Sequence, residues 1–227
     1  MDTTLNQIRD ESPCTSGWKK LLTHLGKTQA DDEALSIITI IDSNGLDDAL
    51  WCLRVVKGYD REIRLYSVWC ARQVQHLLTD QRSINALDVA ERYANGLATK
   101  NELAAASSAA WAAASATRAA ASATGSAAGD ASFAASLAAS FATSFAASDA
   151  RAAASDASDA RAAARDAAID AAIDAARDAS AASAASAASA ASAAASDAQE
   201  KRLREVCAEI DAAIVEAKLN EQKEQDK

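Results

Sequence analysis

From about Leu103 to Ala198 the chain is mostly alanine, marked off in steps of three and four by Ser, Asp and Arg, with no proline. Such a stretch has to be helical, because Ala loses no side-chain entropy in a helix and buries no polar group there. Forming is not packing. An Ala helix offers only methyl groups, each contributing on the order of 0.8 kcal/mol when buried, so the tract folds readily and adheres weakly. The hydrophobic fraction of 50% therefore overstates the core: aromatics are only 4%, and nearly all the large apolar residues precede residue 100. A core of bulky side chains can be built only in that first part, and the tract has to lean on it or on a partner.

Residues 1–13 are polar and end at Pro13, which reads as an irregular lead. Ser16 then precedes Trp18, Leu21, Leu22 and Leu25 at helical spacing, with Gly26 as a stop. The acids Asp31, Asp32 and Glu33 suit a helix start, and the run Leu35, Ile37, Ile38, Ile40 and Ile41 reads as a buried helix rather than a strand, because Asn44-Gly45 ends it. Asp47-Asp48 opens the next helix, with Leu46, Ala49, Leu50, Leu53 and Val56 on one face. Asp60 stands where an N-cap is expected, before a central helix from Arg61 to Leu78 that is apolar on most sides. Ile84, Leu87, Val89, Ala90 and Tyr93 carry a further helix to Gly96.

Thr99 with Glu102 three residues later is a capping box, so a new helix begins there, with Trp111 as its large anchor. Gly125 and Gly129 mark a reversal, and Ser155 to Asp159 offers a second break. Phe133, Leu137, Phe141 and Phe145, four apart, form a winding ribbon suited to docking on the first region. Asp166, Asp170, Asp174 and Asp178 read as a solvated acidic stripe interleaved with Arg161, Arg165 and Arg177. Neither the four-residue nor the three-residue steps keep a fixed face, so the tract is either helices packed closely through Ala or a largely solvated helix. Leu203, Val206, Ile210 and Ile214 restore an ordinary amphipathic helix.

The fold expected is all-α: an antiparallel helical array of the bundle or solenoid kind, followed by long Ala-rich helices. Its parts are a lead (1–13), a helical domain (14–100), an Ala-rich region (101–198), an amphipathic helix (199–219) and a frayed end (220–227).

A net charge of -9 argues against nucleic acid, which needs a basic surface, and against anionic membrane, while suiting solubility or a basic protein partner. The acidic start is no signal peptide, and the tract is too often interrupted to span a bilayer, so the cytoplasm is the expected location. Cys14, Cys52, Cys70 and Cys207 show no metal or disulfide spacing and read as buried reduced thiols. The acidic groups are helix starts or a solvated face, and His24 and His76 stand alone. No phosphate loop and no nucleophile motif occurs, so neither catalysis, cofactor, metal nor small-molecule substrate is indicated.

The block Asn-Gly-Leu-Asp-Asp-Ala-Leu-Trp-Cys-Leu-Arg-Val-Val from Asn44 to Val56, the run Asp60 to Leu65, and Ala86-Leu-Asp-Val-Ala-Glu-Arg-Tyr-Ala-Asn-Gly96 before an Ala-rich tail resemble the immunity proteins with an Imm-5-like domain of bacterial and phage genomes. The resemblance covers roughly residues 14 to 125, and the tail in character. It implies an all-helical protein without a catalytic motif that neutralises a toxin by binding it. The alternatives are a self-associating helical scaffold of phage or bacterial origin and, as a minor one, an acidic mimic of DNA. No spacing derives an interaction surface. Tyr59, Arg61 and Arg64, around the turn before the central helix, are the first place to look for one.

Overall fold

The computed structural model describes residues 1–124, 127–143, 150–175 and 181–225. Its chain is all-α apart from one short antiparallel ribbon, in which Asp2 lies opposite Ser36 and Thr3 opposite Leu35. The ribbon joins β1 (Asp2–Thr3) to β2 (Leu35–Ser36). It belongs to a lead that is ordered rather than irregular. Thr4 and Gln7 close a capping box at the start of α1 (Leu5–Asp10), whose Leu5 and Ile8 are 1% exposed, like Met1 before them. Apolar residues at positions 1, 5 and 8 are enough to draw a polar segment into the core.

The next helix, α2 (Thr15–His24), is capped by the Cys14 sulfur rather than by Ser16. Asp31, Asp32 and Glu33 do not open a helix. Asp31 and Glu33 clasp Lys27 at 2.7 and 2.6 Å, and α3 (Ile37–Asn44) begins later, with Ser36 as its cap. The isoleucine run is helical as expected, with Ile37, Ile40 and Ile41 buried. Gly45, at φ +96°, ends α3 and opens α4 (Leu46–Cys52), a backbone conformation that a side chain would strain.

A 3-10 turn, Leu53–Val55, leads to α5 (Asp60–Arg72), where Tyr59 holds the cap position expected of Asp60 and makes no side-chain cap bond. The helix stops at Arg72, and the stretch toward Leu78 continues as a second 3-10 turn, Gln75–Leu77. Then come α6 (Gln81–Ala94) and α7 (Lys100–Thr124), the latter opened by the expected box: the Glu102 amide donates to Thr99 Oγ1 at 3.2 Å, and the Thr99 amide to Glu102 Oε2 at 2.7 Å.

The alanine tract is not an appendage. In α7 the anchor is not Trp111, which is 41% exposed, but the buried Ala110, Ala113 and Ala114. In α8 (Ala127–Thr143) the docking face is Ala134, Ala135, Ala138 and Ala139, with Leu137 beside it and Phe133 half-buried under the Arg118 guanidinium at 5.3 Å. Methyl faces let helix axes approach more closely than bulky ridges do, which is how so thin a surface seals a core. The ribbon's remaining positions, Phe141 and Phe145, lie outside the described side chains, and Gly125 lies outside the described residues.

No break occurs at Ser155 to Asp159, because α9 (Ala150–Ala175) runs through it. Its Ala163, Ala164 and Ala167 join the same core cluster as Leu50, Leu53 and Ile63, and the helix packs on α5, α4 and α8. Of the expected acidic stripe Asp166 is exposed and Asp170 half-buried, while Asp174 and Asp178 lie outside the described side chains; Arg161 is drawn inside. Finally, α10 (Ala181–Gln225) takes in the separate helix expected at 199–219 and runs on through residues 220–225, with 226–227 outside the described residues. Its Leu203, Val206, Cys207 and Ile210 complete the core of the first hundred residues. Arg204 reaches Asp42 at 2.7 Å, and the Met1 amino group reaches Asp211 at 2.9 Å. The domain boundary expected at residue 100 therefore falls within one continuous core.

Candidate functional site

A glycine in the first turn of α2 has a specific cause. A Cβ at Gly17 would stand 2.7 Å from Asp48 Oδ2 and 3.1 Å from Cys14 Sγ, so α2 and α4 meet here only because the side chain is absent. Asn44, at the end of α3, ties the junction together. Its Nδ2 donates to the Gly17 carbonyl at 2.9 Å and to Asp48 Oδ2 at 2.7 Å. The Gly17 amide donates to Cys14 Sγ at 3.4 Å.

Beside this polar knot opens a cleft of about 70 Å³, walled by Trp18, Leu21, Ile40 and Trp51 and edged by Pro13 and Cys14. Both tryptophans are half-buried. Trp51 is held from behind by Arg54, whose guanidinium lies 4.2 Å from the ring centroid and whose Nε donates to the Trp51 carbonyl at 2.8 Å. The cleft is therefore rigid, apolar within and acidic at Asp48.

Cys14 is an exposed thiol rather than a buried one, while Cys52, Cys70 and Cys207 are buried and free. The hydrogen bond with the Ser16 hydroxyl, then the Gly17 amide, holds the Cys14 thiol below its ordinary value, with Asp48 opposing. Burial pushes Cys52 and Cys70 up to about 12 and Cys207 to about 11. No histidine lines the cleft, and the side chain carrying charge beside the thiol is Asp48. Among the described residues no group of three His, Cys, Asp or Glu side chains is placed to hold a metal ion. No described helix is long and apolar enough to cross a membrane.

The residues singled out from sequence lie elsewhere. Tyr59 is half-buried and packed on the core. Arg61 is exposed and donates to Asn95 Oδ1 at 2.7 Å and to Glu62 at 3.2 Å, and Arg64 lies 5.5 Å from the Tyr93 ring centroid. Arg61 and Arg64 thus meet the end of α6, and Tyr59 is partly covered by the core. The cleft residues carry one sequence signal: a glycine inside a helical pattern, which costs roughly 1 kcal/mol and asks for a close approach.

Arg161 is the other residue that sequence reasoning misplaces. It is 5% exposed and donates from Nη1 to Asp47 Oδ1 across 114 positions of sequence. The tract thereby pins the first turn of α4, next to Asp48. Compared with known proteins, the chain matches no family model, no curated protein and no solved structure.

Proposed function

We propose that this chain is a cytoplasmic, non-enzymatic binding protein of the immunity type, which neutralises a toxin by occupying it, and that the Trp18 and Trp51 cleft takes an anchoring side chain of that partner. The observation that carries the reading is the cleft: half-exposed tryptophans, one braced by an arginine, over a fixed polar junction. Trp and Arg are enriched where binding energy concentrates at interfaces, and Trp buries a large rigid area while losing little side-chain freedom. Asp48 at the lining and the net charge of -9 favour a partner with a basic, apolar contact segment.

Co-expression with the toxins encoded beside the gene tests this. Rescue and co-purification are expected, and Trp51→Ala should weaken the complex by at least about tenfold, the usual loss at an interface hot spot. Failure of every neighbouring toxin to co-purify would refute the reading.

A self-associating scaffold is the second reading, favoured by Val215 and Leu219, 64% and 53% exposed near the end of α10. Light scattering separates the two, because a strict monomer at high concentration excludes self-assembly.

A further inference from the structure

A second concavity lies away from the tryptophan cleft, where the 3-10 turn Gln75–Leu77 faces α9 and α10. It encloses about 380 Å³, within the range of small-molecule sites. Its walls are methyl groups, among them Ala164 and Ala168 of α9 and Ala191 and Ala195 of α10, with Val74 and Leu77 on the third side. Among the described residues no Asp, Glu, Lys or Arg lines it. The polar lining is Gln73 and His76, both exposed, and Gln199.

Gln199 is the anomaly. It is 2% exposed, at the point where α10 passes from its Ala and Ser run into a charged stretch. Two bonds hold the residue: its main-chain carbonyl accepts from the Tyr66 hydroxyl at 3.3 Å, and its side-chain Nε2 donates to the Arg161 main-chain carbonyl at 3.3 Å. Its Oε1, buried as well, has no partner. Native proteins seldom leave a buried amide oxygen unsatisfied, and those that do so beside a cavity have a vacancy for a donor.

We propose that this groove binds a small, uncharged, largely apolar molecule whose single N–H or O–H donates to Gln199 Oε1. The chemistry of the lining selects the class. A charged ligand would lose its hydration with no counter-ion to replace it, and a ligand without a donor would leave Oε1 as it is. Entry is through the methyl walls. Ala191, Ala194, Ala195 and Ala198 fall on one face of α10, and this wall must move aside for a donor to reach the covered Oε1. The site is separate from the tryptophan cleft and does not depend on the toxin reading.

Indole is a suitable probe, with indene as its near-isostere lacking the N–H and benzoate as a charged control. Titration of the full chain by calorimetry or ligand-observed NMR should give saturable binding of indole about tenfold tighter than of indene, the ratio expected for one recovered hydrogen bond, and weaker binding of benzoate. Gln199→Leu should bring that ratio to about one while indene still binds. Because Gln199 also braces Arg161, a second variant is needed that leaves the core alone. Ala194→Phe, on an exposed wall position, should block both ligands. No saturable binding of indole, equal affinity for indole and indene, benzoate binding as tightly as indole, or indole binding unchanged by Ala194→Phe would each overturn the proposal.

Discussion

Removing either half of the Arg161 and Asp47 pair breaks the same contact, yet the two losses should differ. The Arg161 side chain is 6% exposed and the Asp47 side chain 77%. With Asp47→Ala, a sealed guanidinium whose Nε already lacks a partner also loses its carboxylate. A fully buried charge left unpaired costs about 3–5 kcal/mol, and access of water from the open Asp47 side lowers this to about 2–3 kcal/mol. Arg161→Met instead keeps the packing of the methylene stem and removes the desolvated charge, for a cost of about 0–1 kcal/mol. In the Arg161→Met background, Asp47→Ala should cost only its charge at the start of α4, about 0.3–1 kcal/mol. Urea unfolding followed by circular dichroism measures all four proteins, with the slope checked for constancy. Equal losses for the two single variants, or simple additivity in the double variant, would refute the claim that the alanine tract seals a charge inside the body.

Gly17→Ala sets a helix gain of about 0.5–1 kcal/mol against a strained Asp48 carboxylate and its bond from Asn44, for a net loss of about 1 kcal/mol in the same assay; a gain would show that the junction yields freely. Iodoacetamide should modify Cys14 first, with a rate midpoint below the ordinary thiol value, and reach the other three thiols only on unfolding, as mass spectrometry of the intact chain would count. Hydrogen bonds from the Thr99 amide, then from its hydroxyl, hold Glu102 below its usual value. Its contribution is therefore complete above the unfolded carboxylate value and lost as pH falls through the folded one; Glu102→Gln should remove that part of the acid slope, and an unchanged slope would count against the box as its source.

What the sequence makes legible is local. The isoleucine run, the Gly45 stop, the acids at the start of α4 and the Thr99 box each rest on neighbours within one or two helical turns, and each is found where those neighbours place it. The lead obeys the same rules. Thr4 and Gln7 have capping-box spacing, Leu5 and Ile8 share a face of α1 and Met1 is buried ahead of the ribbon, but a mean composition dominated by polar residues hides a three-residue apolar anchor. Asp60 and Ser16 show the opposite limit, since a favourable capping type one or two residues past the cap looks the same in sequence as one at the cap.

The site was illegible for a different reason. Arg161 to Asp47 and Tyr66 to Gln199 join positions 114 and 133 apart, and no periodicity connects them. In an alanine tract every face is chemically alike, so the pattern fixes helix and leaves open which methyl groups are covered. The rare departures from Ala decide it. Arg161 can enter only where a carboxylate waits at a helix start, and the Gln199 side chain only where a main-chain carbonyl, that of Arg161, accepts from its amide. Those few polar residues set the register of α9 and α10 on the body, because a helix turned by one position would leave a buried guanidinium with no anion. Weak adhesion per methyl and strict placement per charge are two sides of one design, in which the tract's shape comes from Ala and its address from the residues that interrupt Ala.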